Sequence, residues 1–260
     1  MSKRRLTPAT PPEAHTADEI YQKIYVAVLE HRLRPGTKLV EGRLATIFGC
    51  SRTRVREALA RLAHELVVEQ IAQKGAFIAQ PSIEQARNVF EMRRVLEPAI
   101  IQRLIQTLNP EKIRRLREHQ HLEIDARQRA DKPSIIRLTG EFHQLLAELA
   151  GSDVMARSMR QLSVLTCLII FLYDAPMTTS CRADEHSNII DAVEAGDVAQ
   201  AQTLVLKHLG HIEASLRLEE TIEEVDLESI FDLYGVPGAD ALAFQCDSRV
   251  RSRVVIWSRT

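Results

Sequence analysis

A chain of 260 residues, 45% hydrophobic and 27% charged, is long enough for one large domain or two modest ones, each with its own core. Ten glycines and ten prolines exclude a low-complexity chain, and 5% aromatic content speaks against a β-sandwich rich in Tyr and Trp. A net charge of -1, from 34 basic and 35 acidic side chains, would also exclude most nucleic-acid binders if it were spread evenly.

The first 15 residues read as a flexible basic arm. Pro8, Pro11 and Pro12 stand where a secretory signal would need an apolar run, so no export signal is expected. Thr16 can cap a first helix that carries Ile20, Ile24 and Val28 on one face, and Leu33-Arg34-Pro35-Gly36 is a turn that ends it. Leu44, Ala45 and Phe48 predict a second helix over 41–48, stopped by Gly49. Ser51 can cap a third, with Val55, Ala58, Leu59 and Leu62 as its apolar stripe. Val67 to Ile71 and Ala76 to Ala79 then predict two short strands joined through Gln73-Lys74-Gly75, and Pro81-Ser82 marks a domain boundary.

From Ile83 onward only helical periodicity is found. Helices are expected near 83–107, 110–130, 134–150, 153–173, 182–195 and 198–218, with Asn109-Pro110, Lys132-Pro133, Gly151-Ser152, Ala175-Pro176 and Gly196-Asp197 between them. The fold class is therefore mostly α: an N-terminal winged helix-turn-helix over 16–80, then an all-α bundle over 83–220. The apolar run Val164 to Tyr173 is too short to span a bilayer and reads as a buried helix, so no membrane partner is expected. Residues 221–260 run from an acidic stretch to a basic end and are expected to be poorly ordered. Cys50, Cys167, Cys181 and Cys246 are scattered without a CxxC pair, consistent with a reduced, cytoplasmic setting.

The charge is not spread evenly. Up to Gly75 there are 13 basic and 8 acidic residues, a surplus of five positive charges, and the remainder carries an excess of six negative ones. Such asymmetry fits two domains with different partners. In a winged helix-turn-helix the third helix enters the major groove with its N-terminus toward base edges, here Ser51-Arg52-Thr53-Arg54-Val55-Arg56. At about 100° per residue, Arg52, Thr53 and Arg56 fall away from the apolar stripe. Arginine offers a bidentate fork to guanine or phosphate, and Lys74-Gly75 at the wing tip can approach the backbone or minor groove. The alternative is a merely solvated helix face.

Leu33-Arg34-Pro35-Gly36-Thr37-Lys38-Leu39, Leu44-Ala45, Ser51 through Leu59 and Arg61-Leu62 together resemble the GntR family of bacterial transcription regulators over about residues 16 to 80. The resemblance implies DNA contacts from Arg43, Arg52, Thr53, Arg54, Arg56, Lys74 and Gly75. Arg54 stands where the family most often has Pro, which predicts a shifted operator preference or an added phosphate contact.

Three histidines lie on apolar helical stripes: His143 with Leu146, Ala147 and Ala150; His186 with Ile189, Ile190 and Val193; His208 with Ala201, Leu204 and Ile212. Buried imidazoles need partners. Three converging from three helices could hold a divalent transition metal; singly, each could be a hydrogen-bonded core residue. Glu91 through Pro98, Glu141-Phe142-His143, Glu185-His186 with Ile189-Ile190, and His208-Leu209 resemble the effector-sensing FCD domain of the FadR-type subfamily. That resemblance implies a zinc, nickel or manganese site built from one Asp and three His. The histidines map to His143, His186 and His208, whereas the Asp position holds Thr139. A hydroxyl is a poor substitute for a carboxylate, so either an effector carboxylate supplies the missing oxygen or the imidazoles hold the effector without metal. His211, one turn beyond His208, is a lesser candidate. Arg93 is expected inside the bundle, either paired with Glu97 or clamping an anionic ligand.

These readings imply a homodimeric regulator, a repressor, that binds a palindromic double-stranded operator and senses a small, acidic metabolite. The expected effector site comprises Arg93, Thr139, His143, His186 and His208. The alternative is a metal-dependent enzyme built on the three histidines. It is disfavoured because no positioned general base is evident; Glu141 and Glu185 lie off the histidine stripes.

Overall fold

Capping side chains set most of the helix starts. Thr16 accepts a hydrogen bond from the Glu19 amide while the Glu19 carboxylate accepts from the Thr16 amide, and this reciprocal box opens α1 (Ala17–Leu29). Ser51 caps α3 (Arg52–His64), which follows α2 (Glu41–Ile47) across the short turn at Gly49. The structure, a computed structural model, describes residues 15–174 and 184–218. The expectations for the basic arm before His15 and for the tail 221–260 lie outside the described residues.

The wing holds one strand more than the sequence predicts. Lys38–Leu39 forms β1, Val68–Ile71 forms β2 and Gly75–Ile78 forms β3, in the order β1-β3-β2, all antiparallel. A two-residue strand is too short to show alternation. It forms because the Pro35-Gly36 turn brings the chain back, letting Gly36 donate to the Ile78 carbonyl at 2.9 Å and Ile78 to that of Thr37 at 2.9 Å.

Six helices follow. A second capping box, Ser82 with Gln85, opens α4 (Ile83–Gln106), and Tyr173 donates to the Pro81 carbonyl at 2.8 Å, tying down the boundary between the domains. Asn109 caps α5 (Pro110–Gln128), Asp131 caps α6 (Lys132–Leu149), Ser152 caps α7 (Asp153–Tyr173) and Asp197 caps α9 (Val198–Ser215). The helix expected at 182–195 appears as α8 (Glu185–Glu194); residues 182 and 183 lie outside the described residues. Helix α4 packs on α6, α7 and α9, and α5 packs on α6 and α8.

The core of the N-terminal domain reaches into the bundle. Val164, Cys167 and Leu168 of α7 join Ile20, Ile24, Tyr25, Val28 and Leu59 in one buried apolar cluster. A second cluster, with Ile100, Leu104, Phe142, Leu146, Ile189 and Val205, fills the bundle. By length and apolarity α7 could cross a membrane. Its buried side chains Met159, Val164, Cys167, Leu168 and Ile169 instead face α1, α4 and α6, as a core helix does.

Candidate functional site

The candidate nucleic-acid interface is the exposed side of α2, α3 and the wing. Packing of Val55, Ala58, Leu59 and Leu62 inward turns Arg52, Thr53 and Arg56 to solvent, as the periodicity predicts, and Arg54 is exposed beside them. The Ser51 hydroxyl caps the helix by accepting from the Arg54 amide at 3.4 Å. Arg54 also donates to the His15 carbonyl at 3.4 Å, and Arg56 grips Glu41 of α2 through Nε (3.3 Å) and Nη2 (2.9 Å). Arg43 lies exposed on α2. At the wing tip, beside Lys74, Gly75 has φ +102, a conformation that side chains resist, and Gln73 in the same turn also has a positive φ of 62. Lys38 is a cation that the sequence reading did not single out. It belongs to β1, and its Nζ lies 5.6 Å from the Phe77 ring centroid, on the same wing.

The candidate metal centre lies inside the helical domain, where α6, α8 and α9 bring His143, His186 and His208 together. All three rings are buried, and one nitrogen of each lies within 4.8 Å of the others. The Nε2 atoms of His143 and His208 are 3.2 Å apart, and those of His186 and His208 are 3.4 Å apart. Two imidazoles bound to one ion at about 2.0–2.1 Å have nitrogens about 3.0–3.4 Å apart, so the spacing fits a shared metal.

Each opposite ring edge faces a carboxylate. His143 Nδ1–H donates to Glu97 at 2.8 Å, His186 Nδ1–H to Glu123 at 2.9 Å, and His208 Nδ1–H to Glu185 at 2.7 Å. Burial drives the His143 ring down to about 3 and the His208 ring down to about 4, outweighing the carboxylates that pull the other way. Both are therefore neutral at pH 7. Burial would raise the Glu97 carboxyl, but the Arg93 guanidinium and the His143 ring hold it down to about 2. Burial likewise opposes ionisation of Glu185, yet bonds from His208 and His211 hold it down to about 2. Glu123 stays well below the usual carboxylate range, because bonds from His119 and His186 outweigh burial. Protons bound at Nδ1 leave the Nε2 lone pairs pointing at one another, an arrangement suited to a cation. Carboxylates that fix the tautomer in this way typically support metal-bound histidines.

Sequence reasoning missed this ring of carboxylates. In the sequence Glu97 reads only as a partner for Arg93. Glu185, placed off the histidine stripes, reaches across to His208 and also accepts from His211. Glu123 carried a legible signal: it shares the buried face of α5 with Leu116, His119 and Ala126, where an unpaired carboxylate would be costly. The hydroxyl of Thr139, one turn before His143, donates back to the Ile135 carbonyl at 2.8 Å. Arg93 is 1% exposed; its Nε donates to Glu97 at 2.7 Å and its Nη1 to Thr166 at 3.2 Å. Its Nη2 and the nearby Ser163 Oγ are buried without a partner among the described residues.

The helices that carry this site also touch the DNA-binding domain. Gln144, the residue after His143, donates to the Tyr25 hydroxyl at 3.1 Å. His31 bonds the carbonyl of Cys167, the residue after Thr166, at 3.0 Å, and Arg137 of α6 pairs with Glu30 at 3.3 Å.

Residues 16–78 match the model of the bacterial regulatory proteins of the gntR family, and residues 88–211 match the FCD domain. An HTH-type transcriptional regulator in an unstable DNA locus of Streptomyces ambofaciens is 30% identical over 74% of this chain and 80% of its own. The HTH-type transcriptional repressor RspR of Escherichia coli is 24% identical over 79% of this chain and 91% of its own. Among solved structures, E. coli McbR/YncC is similar in fold, with a TM-score of 0.66, 20% identity and coverage of 76% of this chain and 95% of that one. With a winged helix-turn-helix at its head and a histidine-centred helical domain behind it, this chain belongs to the gntR family of bacterial transcriptional regulators, in the group that carries an FCD domain.

Proposed function

We propose that the protein is a cytoplasmic, homodimeric repressor whose helical domain senses a small anionic metabolite at a metal-centred site. The observation that carries this reading is the convergence of three Nε2 atoms, each backed by a carboxylate on the opposite ring edge. A divalent metal held by His143, His186 and His208 would supply an electrophilic centre with coordination positions open to an effector carboxylate. Arg93 Nη2, buried and lacking an acceptor among the described residues, is the donor that an anion would satisfy. Thr139 offers only a hydroxyl, already donated to the Ile135 carbonyl, where a carboxylate would be the stronger ligand, and this favours an oxygen supplied by the effector.

On the DNA side, α3 enters the major groove with Arg52, Thr53 and Arg56 toward base edges, while Arg43, Arg54, Lys74 and Gly75 meet the backbone. Ser51 acts as the cap that orients this helix start. Dimerisation gives two such helices and a palindromic site. The effector acts by favouring one of two domain arrangements, through the contacts of Tyr25 with Gln144 and of His31 with the Cys167 carbonyl. A cleft of about 260 Å³ between the base of the wing and α4 and α7, lined in part by Leu66, Pro81, Val89 and Leu162, leaves the joint room to change.

The test is a mobility-shift titration with a duplex from the promoter beside this gene, using metal-loaded protein against a panel of mono-, di- and tricarboxylic acids. One or a few acids should release the DNA, and light scattering should give twice the 29.4 kDa chain mass. DNA binding indifferent to every acid, with or without metal, would overturn the sensing role. A monomer that binds the operator would overturn the dimer.

A further inference from the structure

The bases read by α3 depend on more than α3. We infer that Glu41 and Gly42, consecutive residues in the first turn of α2, are positioning residues that preset Arg56 and Arg52 for base recognition. The inference rests on the reading of α3 as the recognition helix.

Glu41 takes Arg56 by two N–H donors, Nε at 3.3 Å and Nη2 at 2.9 Å. That geometry fixes the plane of the guanidinium and leaves three of its five N–H donors, at the outer end, for an acceptor on DNA. Arg56 side-chain exposure is 64%, so the pair adds little to the stability of the fold. Its effect is on presentation: a long side chain loses most of its rotamer freedom before DNA arrives. The carboxylate also opposes use of Arg56 as a phosphate clamp, because it would meet the same phosphate as a like charge. A guanine edge, which offers O6 and N7 without formal charge, does not incur that repulsion.

Gly42 acts by lacking a side chain. A Cβ there would lie 3.2 Å from Arg52 Nη2, tighter than ordinary contact, and at ordinary contact, 3.5 Å, from Nε and Cζ, so the guanidinium would have to shift by a few tenths of an ångström. The Arg52 guanidinium therefore lies against the backbone of α2, close enough to Glu41 for its charge to help keep that carboxyl low, after the larger effect of the Arg56 hydrogen bonds. Gly42 is not required for the local backbone, since it lies within a regular helix where Ala is the better former.

The experiment selects binding sites from a randomised duplex library with the full-length chain, comparing wild type with Arg52→Ala, Arg56→Ala, Glu41→Gln and Gly42→Ala. The two arginine variants identify which base pairs each arginine reads. Glu41→Gln is expected to flatten the preference at the Arg56 position by about threefold to tenfold, a share of what a bidentate pair provides, with the salt dependence of binding unchanged. Gly42→Ala is expected to flatten the Arg52 position while the melting temperature stays equal or rises, which a purely structural role of Gly42 does not allow. Wild-type profiles in Glu41→Gln and Gly42→Ala, with losses only in the arginine variants, would overturn the positioning role and leave the recognition helix standing. A uniform loss across all sequences in Glu41→Gln would overturn it too. Wild-type profiles in both arginine variants would instead overturn the recognition helix, and this inference with it.

Discussion

Glu97 answers two neighbours at once, with Oε1 on Arg93 and Oε2 on His143, and it is 2% exposed. Removing either partner strands a buried charge. Arg93→Ala should therefore cost about 3–5 kcal/mol in denaturant unfolding, and the double change Arg93→Met with Glu97→Gln should cost clearly less. An equal cost in both would show that packing, not charge, decides this position. Glu97, Glu123 and Glu185 also fix the tautomers of the three rings, so changing any one to Gln should weaken metal binding about 10–100-fold in a chelator competition. Acid sensitivity follows from the same groups. His143, held at about 3, and His208, held at about 4, lie below the ordinary imidazole value of 6.5, so between those limits the unfolded chain binds more protons than the folded one. Glu97 and Glu185, each held at about 2, act in the same direction at lower pH. Facing Arg93, Glu123, His186 and His211 complete the cluster. Stability of the chelated protein should be full above about pH 6.5 and decline as pH falls through about 4; melting temperatures that stay level across that window would contradict the buried, neutral state of the rings. The three histidines were legible in the sequence because each interrupts an apolar stripe. Their carboxylate partners were not, because each carboxylate lies far along the chain from the ring it accepts from, by 46, 63 and 23 residues, and only packing brings them within 3 Å of it.

At the scale of elements, α6 and α7 each link the surroundings of the histidine cluster to the N-terminal domain. Helix α6 carries His143 inward and Gln144 toward Tyr25, while α7 carries Thr166 to Arg93 and offers the Cys167 carbonyl to His31. Neighbours in sequence are turned by about 100° from one another on a helix, so a small rotation of either element moves both contacts together. Tyr25→Phe and Gln144→Leu should leave effector and DNA affinities near wild type when each is measured alone, yet reduce the coupling between them by about 1–3 kcal/mol. Coupling unchanged in both variants would place the signal elsewhere. Helix positions were readable because Thr16, Ser51, Ser82, Asn109, Ser152 and Asp197 mark their own caps. The shared core was not readable: Val164, Cys167 and Leu168 are as apolar as residues that stay within the bundle, and their contact with Ile24 and Val28 depends on how the domains pack. Strand β1 was missed for a related reason, since two residues have no period.

Across the whole molecule, a net charge of -1 divides into a basic head and an acidic remainder, and this division matches a DNA-binding domain joined to a sensor. Neutralisation of phosphates by Arg43, Arg54 and Lys74 should make operator binding fall with salt. Arg52→Ala and Arg56→Ala should each cost about 1–3 kcal/mol on the specific site in an anisotropy titration, with little loss on unrelated DNA; equal losses on both would make these arginines phosphate contacts only. The central claim is that the buried histidines hold a metal through which the domain senses its ligand. It is tested most directly by elemental analysis of protein purified without chelator or added metal, beside the variant with His143, His186 and His208 all changed to Ala. The account predicts close to one transition-metal ion per chain in the wild type and almost none in the variant. A metal-free wild type that also takes up no added zinc, nickel or manganese, or equal metal in both proteins, would contradict it.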